Sequence, residues 1–231
     1  MSVIYETKNL VKSFKSGGKK IDVIKGVSIK IPEKKLTILK GRSGSGKTTL
    51  INILGTLDEP TSGEIFFENK SLSKMSRDET DEIRRLKIGF VFQSIALIPT
   101  MTAYENVEFA LRIAGYDKKE MRQRAEECLH LVGLSKRMHH RTNELSGGEQ
   151  QRVSIARAIA HKPSVIFADE PTAALDSRTG LQVVKMFRDL VEKEGITIIM
   201  TTHDPNMMEL GDVVYAIDDG MIEEEVNHDK M

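Results

Sequence analysis

The feature that most constrains this chain is the glycine-rich segment 41–48, which reads GRSGSGKT. A short apolar run at 36–39 precedes it, and the sequence predicts a helix over 47–57. Glycines at this spacing let backbone N–H groups close around phosphate oxygens, and the lysine then reaches the outer phosphates. The order of strand, glycine-rich loop and helix therefore predicts a phosphate-binding site at the end of a buried strand.

A second segment, 145–152, reads LSGGEQQR and opens another helical run, which we expect over 148–161. A serine and two glycines at a helix start leave backbone N–H groups and the positive end of the helix dipole available to an anion. The chain therefore carries two helix N-termini that are suited to binding phosphate and that lie far apart in sequence.

Short apolar runs alternate with helical patterns in much of the chain, which favours a largely parallel α/β sheet. Further strands are expected at 3–10, 21–31, 64–68, 87–92, 165–168 and 196–200, and a terminal hairpin at 213–217 and 221–225. Further helices are expected at 77–85 and 177–193. Ligands bind at the carboxyl ends of the strands in such sheets.

Residues 104–137 have helical apolar periodicity and no strand pattern. We expect a helical part at about 93–145, inserted between 1–92 and 146–231, which together form the core of a single domain. The apolar stripes of this part predict packing rather than a cofactor site. Cys128 lies in one of these stripes, so we expect a buried thiol with no catalytic role.

Charge and hydropathy narrow the range of partners. The formal net charge is +0 at pH 7, so no broad attraction to nucleic acid or anionic lipid is expected. The longest uncharged run, 88–104, is shorter and more polar than the roughly 20 apolar residues of a membrane helix. Residues 1–10 lack the apolar segment of a secretory signal, and one cysteine cannot form an intramolecular disulfide.

Phosphoryl transfer to water needs a phosphate cradle, a metal and an aligned water. Segment 43–49 is the predicted cradle, with Lys47 directed at the β- and γ-phosphates. The Thr48 hydroxyl and Asp169, which follows a buried strand, are predicted to hold Mg²⁺. Glu170 is the candidate to orient or deprotonate the attacking water, although an acidic pair is also an ordinary polar strand exit.

Two more polar residues end apolar strands, Gln93 and His203. A glutamine can bind a metal and a water at once, and a histidine can bond the γ-phosphate. Each residue alone would more often be structural. We nevertheless assign both to the predicted catalytic set.

The motifs together resemble those of the ATP-binding cassette ATPases. Segments 41–48, 145–152 and 165–170, with Gln93 and His203, are similar to the Walker A, signature, Walker B, Q-loop and switch-histidine motifs of that family, and Ala174-Leu175-Asp176 to its D-loop. The nucleotide-binding set that this resemblance implies is Phe14, Gly41, Arg42, Ser43, Gly44, Ser45, Gly46, Lys47, Thr48, Thr49, Ser146, Gly147, Gly148 and Asp176. Phe14 lies where the family usually has a tyrosine stacked on adenine, and phenylalanine also offers a π-face.

The resemblance implies a fold and a mechanism beyond what the residues indicate alone. The fold would be a P-loop NTPase α/β sheet core with an N-terminal antiparallel β part and an inserted α-helical subdomain. ATP and Mg²⁺ would bind between two copies of the chain, so that Ser146, Gly147 and Gly148 contact the ATP of the partner. Hydrolysis would then drive a membrane permease from the cytoplasmic face of the membrane.

Segments 89–93 and 97–107 are similar to the small subunits of the lipoprotein-releasing, macrolide-export and cell-division group. That group implies a permease with few spans and a large extracytoplasmic domain, and a role in export or extraction of peptide, lipoprotein or antibiotic. One alternative is an ATPase that regulates a cell-wall or division partner without moving cargo. A soluble cassette ATPase acting on DNA or ribosomes is the other, and the neutral charge argues against it.

Overall fold

The computed structural model describes residues 2–227, so residues 1 and 228–231 of the expected single domain lie outside the described residues. The strands are β1 Val3–Ser16, β2 Lys19–Val27, β3 Lys30–Pro32, β4 Leu36–Lys40, β5 Ser62–Phe67, β6 Lys70–Ser71, β7 Ile88–Val91, β8 Val165–Ala168, β9 Thr197–Thr202, β10 Val213–Asp218 and β11 Met221–Asn227. The helices are α1 Lys47–Leu54, α2 Arg77–Lys87, α3 Ala103–Ala114, α4 Lys118–Leu131, α5 Gly147–Ile159, α6 Ser177–Glu194 and α7 Pro205–Met208.

The central sheet has the strand order β11-β10-β4-β9-β8-β7, and every neighbouring pair from β10 to β7 is parallel. Its central strands are apolar on both faces because helices or the second sheet cover each side. Residues alternate between two cores along β8, where Phe167 faces one core and Ile166 the other. The carboxyl ends of β4, β9, β8 and β7 consequently lie side by side along one edge of this sheet.

The second sheet is antiparallel, with the order β2-β1-β5-β6 and with β3 paired to β1. It packs over α1 and one face of the central sheet, where Tyr5 lies against Phe67 and Phe167. This sheet brings the β1–β2 hairpin next to the start of α1. The predicted P-loop sheet core with an antiparallel β part is therefore confirmed.

Helices α3, α4 and α5 pack together on the other face of the central sheet. Cys128 is fully buried in this layer, as expected, and burial raises the pKa of its thiol to about 11. Such a thiol is not a nucleophile at neutral pH. Across the described residues, every helix is too short or too polar to span a bilayer.

The three largest differences from the expected element boundaries have local reasons. The helix predicted over 47–57 ends at Leu54, because Gly55 caps it and Thr56 adopts a left-handed backbone. The strand predicted over 3–10 continues to Ser16, because the hairpin to β2 extends its pairing past two irregularities. The strand predicted over 21–31 is divided into β2 and β3, both of which pair with β1.

Candidate nucleotide-binding and catalytic site

The phosphate loop connects β4 to α1 through a backbone that needs glycine. Gly46 has φ of 103°, and a Cβ there would lie 2.9 Å from the Val23 carbonyl oxygen of β2. A Cβ at Gly41 would lie 2.2 Å from the Ile217 carbonyl oxygen. Neither backbone oxygen can withdraw easily, because both belong to paired strands. The loop is therefore shaped by close packing against β2 and β10.

The start of α1 lacks the side-chain cap that the longer helices have. Gly46 is its N-cap and offers no side-chain acceptor to the first turn. The caps of α2 to α6 are Ser76, Thr102, Asp117, Ser146 and Asp176, and each accepts a hydrogen bond from a first-turn N–H group. Unsatisfied N–H groups at the positive end of a helix dipole are suited to phosphate. The loop therefore fits the phosphates of a nucleotide.

Lys47 lies inside this loop with only 5% of its side chain exposed. Its Nζ donates hydrogen bonds to the carbonyl oxygens of Gly41, at 2.9 Å, and Arg42, at 3.0 Å. The same Nζ is 3.7 Å from Oε1 of Glu170. These contacts place the ammonium group between the phosphate loop and the end of β8.

The remaining residues of the predicted cradle surround this lysine. Ser45 and Gly46 are buried, Gly41 and Thr49 are half-buried, and Arg42, Ser43, Gly44 and Thr48 are exposed. The predicted cradle thus has a buried base and an open rim, as a loop that receives a ligand from solution requires.

Oxygen ligands for a hard cation meet where α1 approaches β8. The Thr48 hydroxyl donates to Oδ1 of Asp169 at 3.2 Å, and the Thr201 hydroxyl donates to the same oxygen at 2.7 Å. Residues 2–227 contain no cluster of three His, Cys, Asp or Glu side chains that could hold a metal alone. Mg²⁺ typically takes one or two carboxylates together with substrate phosphates, so a hydroxyl and a carboxylate beside a phosphate cradle fit this ion.

Glu170 is held in an unusual backbone conformation, with φ of 42°. Its N–H donates to the Thr201 hydroxyl at 2.8 Å, so one threonine orients both acidic residues. Oε2 of Glu170 is 3.3 Å from Nδ1 of His203, and the imidazole is 63% exposed. A left-handed non-glycine residue costs about 1–3 kcal/mol and persists where the surroundings hold it. The fold therefore presents this carboxylate in a fixed direction.

The structure brings Gln93 to the same edge of the sheet, one strand away. It follows β7, which pairs with β8 so that Val91 lies opposite Ala168. Gln93 and Asp169 line one open cleft. Four strand ends thus bring the predicted catalytic and metal-binding residues together. Thr201, which contacts both acidic residues, is not among the residues predicted from the sequence. Its position at the end of a buried strand was the available signal.

The start of α5, with Ser146 to Gly148, lies apart from this cluster. Among residues 2–227, no hydrogen bond or ion pair connects these three residues with the phosphate loop. Oγ of Ser146 accepts from the Glu149 N–H at 3.3 Å, and Oε2 of Glu149 accepts from the Ser146 N–H at 2.9 Å. This capping box leaves the N–H groups of Gly147 and Gly148 available, so fewer donors are free than the sequence indicates.

Asp176 begins the neighbouring helix α6 and caps it. Its Oδ1 accepts from the N–H groups of Arg178 and Thr179, and its Oδ2 accepts from the Thr179 hydroxyl at 2.7 Å. The hydrogen bonds from Thr179 lower the pKa of the Asp176 carboxyl. A Cβ at Gly148 would lie 2.7 Å from Cγ2 of Thr179, so the starts of α5 and α6 touch at this glycine.

Phe14 lies on the β1–β2 hairpin, opposite Ile21, and its side chain is 43% exposed. Nζ of Lys12 is 5.0 Å from the centre of its ring. The same hairpin contacts Gly46 through Val23. An exposed ring on an element that touches the phosphate loop is available for stacking on a base.

Comparisons with known proteins agree with this geometry. The sequence profile of the family described as "ABC transporter" matches residues 24–173. An "Uncharacterized ABC transporter ATP-binding protein" of Thermotoga maritima is 46% identical over 96% of this chain and 95% of that protein. The macrolide export ATP-binding/permease protein MacB of Wolinella succinogenes is 45% identical over 95% of this chain, which spans only 34% of that protein.

Among solved structures, the ATP-binding cassette MJ0796 of Methanocaldococcus jannaschii superposes with a TM-score of 0.90. It is 42% identical, and the alignment covers 97% of this chain and 98% of that one. Its structure is described as a dimeric post-hydrolysis state bound to ADP and Pi. With the phosphate loop, the acidic strand end and the signature helix in place, this chain belongs to the ABC transporter family as an ATP-binding subunit that binds ATP and Mg²⁺ and hydrolyses ATP.

Proposed function

We propose that two copies of this chain close on ATP and drive a membrane permease that exports or extracts a peptide, lipoprotein or antibiotic. The observation that carries this proposal is the separation of the two helix starts. The phosphate loop meets Asp169, Glu170 and His203 within one chain, whereas Ser146 lies apart from all of them. A second copy can bring its own α5 to the open side of the loop.

Within one copy, we assign the binding of the nucleotide phosphates to α1. The uncapped N–H groups of its first turn and Nζ of Lys47 would hold the β- and γ-phosphates. Phe14 would stack on the adenine. Thr48, Asp169 and Gln93 would hold Mg²⁺, which neutralises charge on the transferred phosphoryl group when bound.

The hydrolytic step falls to Glu170 and His203 in this proposal. The carboxylate of Glu170, which lies beside Lys47 and whose backbone N–H is bonded to Thr201, would orient a water in line with the γ-phosphate and accept its proton. The exposed imidazole of His203 would donate a hydrogen bond to a γ-phosphate oxygen. Across the dimer, Ser146 and the N–H groups of Gly147 and Gly148 would hold the same γ-phosphate.

Mixing two inactive variants tests whether the phosphate loop of one copy works together with the α5 start of the other copy. Lys47→Ala disables the phosphate loop, and Ser146→Arg disables the signature helix. A mixed dimer would then have one doubly damaged site and one intact site. Random pairing makes half of the dimers mixed, so an equal mixture should recover about a quarter of the normal turnover if sites act independently.

The matched control mixes Lys47→Ala with Glu170→Gln. Both residues belong to the same site of the same chain, so neither site of a mixed dimer is intact and no turnover should return. Equal recovery of turnover in the two mixtures would contradict the head-to-tail arrangement. So would a lack of recovery in the first mixture when purification through two different affinity tags shows that mixed dimers have formed.

The transport assignment is supported by the similarity to a protein named for macrolide export, which carries both an ATP-binding part and a permease. We propose that this chain binds a permease with few spans and a large extracytoplasmic domain, at the cytoplasmic face of the membrane. The docking region would be the helical subdomain at about 93–145, inserted in a single nucleotide-binding domain. No nucleic acid partner is proposed, because the net charge is zero.

Purification of this chain from detergent-solubilised native membranes, with mass spectrometry of the proteins that accompany it, tests this assignment. A permease of the stated type should be recovered, and recovery of ribosomal or nucleic-acid-binding proteins without any membrane protein would overturn the proposal. Reconstitution of the recovered complex in vesicles then separates the alternatives. ATP-dependent movement of a labelled peptide, lipoprotein or macrolide indicates transport, whereas activation of a cell-wall enzyme without movement indicates a regulatory role.

A further inference from the structure

The turn that follows Gln93 has a backbone that L-residues rarely adopt. Ile95 has φ of 64° and Ala96 has φ of 48°, so two consecutive non-glycine residues are left-handed. The Ile95 N–H donates to the Phe92 carbonyl at 3.0 Å, and the Ala96 N–H donates to the Ser94 carbonyl at 2.7 Å. A β-branched residue at positive φ is a strained residue that needs support from outside the turn.

That support comes from Arg157 on α5. Its Nη1 donates to the Ala96 carbonyl at 2.6 Å, and its Nη2 lies 3.5 Å from the Ile95 carbonyl. The two terminal nitrogens of a guanidinium lie in one rigid plane, so they match two adjacent carbonyl groups better than a single ammonium can. Arg157 therefore holds both strained residues through their oxygens.

The guanidinium of Arg157 contacts backbone carbonyl oxygens of this turn. In the part of the chain from 2 to 227, no carboxylate lies within ion-pair distance of its guanidinium. Burial lowers the pKa of this side chain, so the charge is kept at a cost in solvation. Carbonyl oxygens of the turn are the partners that offset this cost.

The part of α5 that carries Arg157 also packs directly against β7, the strand that leads to Gln93. A Cβ at Gly89 of β7 would lie 2.4 Å from the Ala158 carbonyl oxygen, so α5 and β7 are in direct backbone contact. Nε2 of His161, just beyond α5, is 3.0 Å from the Ile88 carbonyl oxygen. The backbone that carries Arg157 is thus held in place against the strand that leads to Gln93.

The same helix begins at the signature motif. Ser146 caps α5, and Arg157 follows 11 positions later, about 16 Å along the helix axis. We infer that Arg157 is a positioning residue, which fixes the turn carrying Gln93 over the Asp169 cleft and ties it to the signature helix. The inference rests on the catalytic role proposed for Gln93.

Arg157→Lys tests this inference because it keeps the positive charge and most of the aliphatic side chain. It loses the two terminal guanidinium nitrogens that contact the two carbonyl groups. We expect turnover to fall about tenfold while the dissociation constant for ATP changes less than about twofold, since a misplaced catalytic group slows reaction more than binding. Hydrogen exchange of the segment 92–98 should speed up in the variant, because Ile95 and Ala96 lose their support.

Arg124→Lys is the matched control. Arg124 lies on α4 and donates to the carbonyl oxygens of Ile159, at 3.1 Å, and Ala160, at 3.0 Å, at the C-terminal end of α5. Like Arg157, it therefore donates to two adjacent backbone carbonyl groups, but it does not contact the turn that follows Gln93. This variant should lower thermal stability about as much as Arg157→Lys does. It should leave turnover and the hydrogen exchange of segment 92–98 unchanged.

A double variant that combines Arg157→Lys with Gln93→Ala distinguishes an effect on the position of Gln93 from a general loss of stability. If Arg157 acts through Gln93, Arg157→Lys should reduce turnover less than about twofold further in the Gln93→Ala background. An equal reduction in both backgrounds, or an effect shared by Arg124→Lys, would overturn the inference. Normal turnover of Gln93→Ala alone would instead refute the proposed role of Gln93, and unchanged exchange in Arg157→Lys would refute the support of the turn.

Discussion

The starts of α1 and α5 have similar glycine-rich sequences but opposite local chemistry. At α1, Gly46 provides no cap, and the N–H groups of the first turn are left for a ligand. At α5, Ser146 and Glu149 cap each other, and Nε of Arg137 lies 3.3 Å from the same glutamate. A side-chain cap stabilises a helix by about 0.5–2 kcal/mol, so α1 forgoes stability that α5 keeps.

This difference shows which helix start can form a site alone. The α1 start is surrounded within its own chain by Lys47, Asp169 and Glu170, so it needs only nucleotide and metal. The α5 start is capped by its own side chains without any ligand, and among residues 2–227 no hydrogen bond or ion pair connects it with that cluster. Variants that affect only one of the two starts should therefore separate phosphate binding from the contact between copies.

The largest effect is expected from Glu170→Gln, at the complete site. Loss of the proton acceptor should slow ATP hydrolysis by about 10²–10⁴-fold, while the fold and the phosphate loop remain intact. ATP should still bind and should hold two copies together, which size-exclusion chromatography with ATP would detect. Glu194→Gln, at the exposed end of α6, is the control and should leave turnover unchanged. Near-normal turnover of Glu170→Gln would exclude this residue as the base.

The next largest effect is expected from Ser146→Arg, at the incomplete site. An arginine at this position should block the approach of the partner's γ-phosphate and slow turnover by about 10²–10³-fold. Nucleotide binding to the single chain should persist, because α1 is untouched, and equilibrium dialysis with ATP measures it. Ser76→Arg removes the equivalent serine of the α2 capping box and should cost similar stability without slowing turnover. Loss of ATP binding in Ser146→Arg would show that the two starts are not independent.

The sequence predicts most of this architecture because the relevant signals are local. The apolar run before Gly41 and the polar residues after each buried strand mark the edge where Asp169, Glu170 and His203 meet. The capping box at Ser146 was also visible, since a serine followed three residues later by a glutamate is its usual pattern. Because this pattern is a cap, the Glu149 N–H at this helix start is already bonded to Ser146 and is not free for an anion.

Contacts between distant segments could not be predicted in this way. Arg157 reaches the Ile95 and Ala96 carbonyls, which lie 62 and 61 residues away, and nothing in the sequence indicates left-handed backbone at those two residues. The role of Thr201 likewise depends on the pairing of β8 with β9. Backbone carbonyls accept from any donor, so the contacts of Arg157 leave no sequence pattern. The assigned roles of the individual site residues remain predictions.

A smaller effect separates the two glycines of the α5 start. Gly148→Ala should lower the free energy of unfolding by about 1–3 kcal/mol, because its Cβ would lie 2.7 Å from Cγ2 of Thr179. Gly147 has no atom within 4 Å of such a Cβ, so Gly147→Ala should leave stability unchanged or raise it by up to about 1 kcal/mol. Urea denaturation measures both.

Thr179→Ser provides the rescue for this prediction. It removes the methyl group that Gly148→Ala would meet and keeps the hydroxyl that donates to Asp176. The double variant should recover most of the stability lost in Gly148→Ala. Equal destabilisation of the single and double variants would show that the contact between α5 and α6 does not limit residue 148.

The smallest effect is expected at Glu149, whose carboxylate completes the α5 cap. Glu149→Gln should lower the free energy of unfolding by about 0.3–1 kcal/mol at pH 7, the usual contribution of an acidic side chain at a helix start. The hydrogen bond from the Ser146 N–H lowers the pKa of Glu149 in the folded chain. Its stabilisation is therefore complete above the ordinary carboxyl pKa of about 4.3 and is lost as pH falls through the lowered value. The gap between wild type and variant should close over that acidic range.

Glu105→Gln is the matched variant, because Glu105 forms the same capping box with Thr102 on α3, and the hydrogen bond from the Thr102 N–H lowers its pKa in the same direction. Both variants should show the same small, pH-dependent loss of stability in thermal unfolding. Turnover should fall only in Glu149→Gln, since only that cap orients the serine proposed to meet the partner's ATP. Equal turnover in the two variants would mean that the α5 cap serves the helix alone, and that the contact between copies depends on the backbone of Gly147 and Gly148.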